Sequence, residues 1–142
     1  MYDELKAVLS SRRDLERGNG ATEAELSAAE MQIGSIPQEF RQFLMDFGWV
    51  ILGHYEVFGV GEGITARNDL VSETLNERSY GRIPNLVPVM NDGAGNLYCV
   101  TQDSITPSPV LLSTLDSSPD YVVEQAGFSS WLLNLARGLP HQ

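Results

Sequence analysis

The sequence predicts an α+β fold: a mostly antiparallel, twisted sheet packed against N-terminal helices and a C-terminal helix. Three observations carry this expectation. Apolar residues recur at helical spacing from Tyr2 to Phe47. β-prone runs divided by turn formers dominate the stretch from Trp49 to Glu124. Helical spacing returns after Gly127. Helices first, strands next and a helix last is an α+β order. At 142 residues the chain fits one domain and can bury a core without disulfide or metal staples.

The elements follow in order. Leu5, Val8 and Leu9 mark a first helix from Tyr2 to about Arg17, stopped by Gly18-Asn19-Gly20. Thr22 with Glu25 three residues on is a capping box, opening a second helix that runs to about Gln32 and ends at Gly34. Pro37 opens a third, in which Phe40, Phe43, Leu44 and Phe47 fall at i, i+3, i+4 and i+7 and form a core stripe. Trp49–Leu52 and Tyr55–Val60 read as strands around a Gly53-His54 turn. Thr65 to about Tyr80 returns to helical spacing. Val110–Ser113 and Tyr121–Glu124 read as short strands. Trp131, Leu132 and Leu135 line one face of the closing helix.

The stretch from Leu86 to Thr101 is the most informative. Val87, Val89, Leu97, Tyr98 and Val100 suit a pleated, half-buried surface, and Asn91, Asp92, Gly93, Gly95 and Asn96 lie between them. Glycines there supply positive φ, and Asn and Asp bond their own backbone. This is a β-hairpin with a roomy tip, from which Asp92 and Asn96 are candidates to meet a ligand. A phosphate-cradling loop opens onto a helix, and here a strand follows, so a nucleotide loop is rejected.

Charge narrows the function classes. The formal net charge is −10, with seven acids against one base in residues 18–66 and five against one in residues 83–142. Such a field disfavours nucleic acid and anionic lipid and steers a basic partner. The single cysteine, Cys99, is expected to be buried and inert. The N-terminus lacks the basic and apolar runs of a signal peptide, and no segment approaches a membrane span, so a cytoplasmic protein is expected. His54 and His141 have no Cys or His at ligand spacing, so no metal site is expected. Neither a nucleophile with its base nor a cofactor motif can be assembled, so no enzyme is expected.

The order of these features resembles the SUKH superfamily, the Smi/Knr-type domain. The matching residues are Glu30 before Ile36-Pro37, then Phe40, Phe43, Leu44 and Gly48. They continue through Phe58-Gly59, Val87-Pro88-Val89 and Asp92-Gly93-Ala94-Gly95-Asn96-Leu97-Tyr98 to Phe128 and Trp131-Leu132. The resemblance covers about Thr22 to Arg137, and the Asp-Gly-x-Gly-Asn run is its most specific part. After Asp103, Ser-Ile-Thr-Pro-Ser-Pro departs from the family's strand hairpin. The resemblance implies an α+β, non-enzymatic, cofactor-free binding module, of the kind that neutralises a cognate bacterial toxin, many such toxins being basic nucleases. The alternative it implies is a regulatory or scaffold domain of the cell-wall-synthesis-regulator type. On either reading the partner is a protein. The candidate contacts are Asp92, Asn96, Asp103, Asp116, Asp120 and Glu124, on the sheet side.

Overall fold

The computed structural model describes residues 1–81, 85–113, 122–125 and 127–138, with the backbone alone at 122–125. Five helices are present: α1 (Tyr2–Ser11), α2 (Glu23–Ile33), α3 (Gln38–Phe47), α4 (Leu70–Ser79) and α5 (Phe128–Gly138). The strands are β1 (Glu16–Arg17), β2 (Val50–Leu52), β3 (Tyr55–Val57), β4 (Leu86–Asn91), β5 (Leu97–Thr101), β6 (Val110–Ser113) and β7 (Val122–Gln125). They form one seven-stranded sheet in chain order, every neighbouring pair antiparallel. The α+β expectation holds. No helix among the described residues is long and apolar enough to cross a membrane.

Three boundaries differ from expectation, each for a local reason. The first helix stops at Ser11 instead of reaching Arg17. Arg12 turns to extended backbone (φ −83°, ψ 128°), and its buried guanidinium bonds Asp14 and the Ala136 carbonyl of α5. Glu16 and Arg17 then extend the sheet beside Ile51 and Val50. Helix α4 begins at Leu70 and not at Thr65, because Asp69 caps it, accepting from the Val71 and Ser72 N–H groups. Asn68 holds the preceding residues in a turn through the Thr65 N–H and hydroxyl. Strand β3 ends at Val57, short of Val60. A Cβ on Gly59 would sit 1.8 Å from the Gly48 carbonyl oxygen, so the backbones meet where only glycine fits.

Strand β4 is buried along Leu86–Met90, on both of its faces, where a half-buried surface was expected. A proline inside a central strand removes a ladder donor. The sheet absorbs Pro88 with a register shift between Pro88 and Met90 opposite β5. In α5, Leu132 and Trp131 are buried as expected, whereas Leu133 and Ala136 fill the core and Leu135 is only partly buried.

The apolar stripe of α3 is the centre of the core. Phe40, Phe43, Leu44 and Phe47 are fully buried. Ring centroids lie 5.3 Å apart for Phe40–Phe128, 5.6 Å for Phe43–Phe128 and 5.4 Å for Phe43–Phe47. One carboxylate is buried with them. Glu39, 7% exposed, accepts from the Ser108 N–H at 2.9 Å through Oε1. Its Oε2 accepts from the Ser129 N–H at 3.1 Å and from the Ser129 hydroxyl. The acid thus joins α3, the β5–β6 loop and the first turn of α5, where a negative charge suits the helix dipole.

Phe43→Ala is expected to cost roughly 3–5 kcal/mol in urea unfolding; a loss below about 1 kcal/mol would show that the stripe is not packed as described. Glu39→Ala leaves two buried amides and a hydroxyl without an acceptor. It is expected to cost on the order of 3 kcal/mol, and more than Glu39→Gln, which keeps one acceptor.

Candidate functional site

The β4–β5 tip is built by its own side chains. Asp92 Oδ1 accepts from the Ala94 N–H at 2.8 Å and from the Asn96 N–H at 3.3 Å, and Oδ2 accepts from Asn96 Nδ2 at 2.8 Å. Asn91 Oδ1 accepts from the Gly93 N–H at 2.7 Å. Gly93 and Gly95 both take positive φ, at 84° and 92°. Burial pushes the Asp92 carboxyl up, but the bonds from Asn96 and Ala94, with His54 nearby, outweigh it and hold the carboxyl below its ordinary value. The tip lies against the β2–β3 turn, where the Gly93 backbone approaches the His54 carbonyl. Asn91 is registered opposite Glu56, which pairs with the exposed Arg67 at 3.0 Å.

Asp92 and Asn96 are therefore brought together. A carboxylate has about four acceptor sites, and three are used within the loop. The tip offers a partner the remaining oxygen edges on a fixed frame. Asp103 is exposed and lies at the other end of β5, roughly 20 Å away at about 3.4 Å per residue. The neighbouring Gln102 ties that end to α2, its amide donating to the Ile33 carbonyl at 2.6 Å. Strand β6 returns to the tip end, with Ser113 opposite Leu97. Asp116 and Asp120 lie outside the described residues, and Glu124 is described by its backbone alone, in β7.

A second feature went unread in the sequence. A cleft of about 590 Å³ opens between α1, α3, the β5–β6 loop and the start of α5, lined by Tyr2, Glu39, Gln42, Pro107, Gly127 and Ser130 among others. Its α1–α3 wall is closed by Asp46, which accepts from the Tyr2 hydroxyl at 2.5 Å and from Gln42 Nε2 at 3.2 Å, with Lys6 at 3.4 Å. Burial, then the bond to Asp46, raises the Tyr2 hydroxyl far above its usual range. Asp46 feels burial as an upward push, but Tyr2, Gln42 and Lys6 hold it low. Ile105, 83% exposed, stands beside the rim residue Thr106. Glu39 lies one turn before Phe43, beside the apolar stripe, and it is the donors of Ser108 and Ser129 that turn it inward.

A family model described as SUKH_5: SMI1-KNR4 cell-wall matches residues 3–136. No curated protein matches the chain.

Asp92→Ala is expected to cost about 1 kcal/mol near neutral pH, modest because the loop amides lie near water. The folded carboxyl titrates below its unfolded value, so its stabilisation is present above pH ~3.9 and fades as the pH falls further. The stability gap between the native chain and Asp92→Ala should shrink in acid. A gap independent of pH, measured by urea unfolding, would show that Asp92 does not hold the tip through its charge.

Proposed function

This chain belongs to the SMI1-KNR4 family of SUKH domains, and on that premise we propose that it is a non-enzymatic binding module of the immunity type, which captures and neutralises a basic toxin domain. The observation that carries the reading is the family match over nearly the whole chain, joined to a net charge of −10. A toxin that grips nucleic acid presents cations to phosphate, and an acidic inhibitor suits that same surface. The exposed Asp103, the Asp92–Asn96 tip and the acids of residues 18–66 are the groups that would generate the attraction.

The family's description also names the cell wall, which favours a second reading, a regulatory interaction domain. The two readings separate on a single test. The immunity reading expects a toxin domain encoded beside this gene to bind the purified protein and lose its toxicity. A regulatory domain would bind a wall-synthesis component and leave such a toxin active.

Steering by charge has a kinetic signature. In stopped-flow mixing with the neighbouring toxin domain, association should slow at least ~10-fold between low and high salt, while dissociation changes less. Asp103→Lys is the clean probe, since that side chain is exposed, whereas reversal at Asp92 also disturbs the hairpin. Association equally fast at both salt concentrations, with Asp103→Lys binding normally, would remove the acidic surface from the contact.

A further inference from the structure

We propose that the cleft between α3 and the start of α5 receives an arginine side chain of the basic partner, with the Glu39 carboxylate as its polar end. The proposal rests on the reading of this chain as a binder of a basic protein.

The first observation is the state of Glu39. It lines the cleft and is 93% buried, yet among the described residues it makes no ion pair. Its three partners are neutral donors, two amides and a hydroxyl. Oε2 takes two of them and Oε1 only one, so Oε1 keeps acceptor capacity. The donors come from Ser108, which follows the lining residue Pro107, and from Ser129, which lies between the lining residues Gly127 and Ser130. The carboxylate therefore lies where these two segments converge.

The second observation is the wall. Pro107, Gly127 and the Tyr2 ring offer an apolar channel, and Tyr2 and Gln42 have spent polar atoms on Asp46. Among the described residues no Lys, Arg or His lines the cleft, and the one positive group on its rim, the Met1 ammonium, makes no ion pair with Glu39. An apolar channel ending at a carboxylate that makes no ion pair matches a methylene stem that ends in a positive head. Arginine suits it better than lysine, because a guanidinium is more weakly hydrated and gives up less on entering a partly buried site.

The third observation is an unmet acceptor. The Ser108 hydroxyl is fully buried and has no hydrogen-bond partner among the described residues, on the same residue whose amide bonds Glu39. A guanidinium carries several donors in a fixed fork, so one donor can address Glu39 while the others remain for acceptors beside it. The volume of about 590 Å³ exceeds what one side chain fills, leaving space for a flanking residue near the exposed Ile105.

The test needs no toxin, so its failure would leave the immunity reading standing on its own kinetic test. The folded protein, labelled with ¹⁵N, is titrated with N-acetyl-arginine amide and with its neutral citrulline and norleucine counterparts. The proposal expects the arginine compound to shift the Ser108 and Gly127–Ser130 amides and to bind at least ~10-fold more tightly than the citrulline compound. Gln38→Lys, an exposed change at the cleft rim that leaves Glu39 in place, should weaken the arginine compound by a similar factor and leave the norleucine compound unaffected. Glu39→Gln, if folded, should abolish the preference for arginine over citrulline. Equal binding of the arginine and citrulline compounds, shifts confined to other surfaces, or no binding would overturn the proposal.

Discussion

The structure depends on one buried carboxylate. Glu39 stands on the first turn of α3 and holds two segments far from it in sequence, the amide of Ser108 and the first turn of α5 through Ser129. An apolar residue at position 39 would leave those donors buried without acceptors, and each such donor costs free energy comparable to a lost hydrogen bond. The aromatic cluster of Phe40, Phe43, Phe47 and Phe128 packs against this junction. The apolar rings supply area-driven attraction with little direction. The carboxylate supplies direction, since it accepts only where α5 begins and where the β5–β6 loop turns inward.

A similar division of labour appears at the edges of the sheet. Arg12 leaves α1 and carries its guanidinium to the last turn of α5, at the Ala136 carbonyl, where a cation suits the negative end of that helix. The Thr22–Glu25 box and Asp69 fix the starts of α2 and α4. Polar side chains at helix ends thus decide where each element begins, and buried aliphatic and aromatic groups decide what it packs against.

What was legible in the sequence follows from this division. The α3 stripe, the capping box and the β4–β5 hairpin are written in local periodicity and turn chemistry, and all three are present. The end of α1 was not legible, because Arg12 is drawn out of the helix by a carbonyl 124 residues away. The start of α4 was misplaced because Thr65–Asn68 can satisfy helical spacing, and Asp69 wins as a cap only once Gly59 pairs beside it. Of the candidate site, the Asp92–Asn96 pair was legible, since both residues sit in one short loop. The cleft was not. Its lining comes from four separated segments, and the inward orientation of Glu39 depends on where Ser108 and Ser129 arrive.

Both acids proposed for recognition are held by donors of their own chain. Three bonds fix the Asp92 carboxylate within its loop, and three fix Glu39 beside the cleft. A side chain already immobilised loses little conformational freedom on binding, so more of each contact appears as affinity. A carboxylate surrounded by amide donors also has part of its hydration replaced in advance, which lowers the desolvation cost of a cation's approach. The diffuse acidic field and these fixed acids then act at different stages. The field acts over about a Debye length and governs encounter, whereas fixed acids act at contact distance and govern register. On the proposed function, a chain with one base among residues 18–66 and carboxylates held by its own donors would serve both stages.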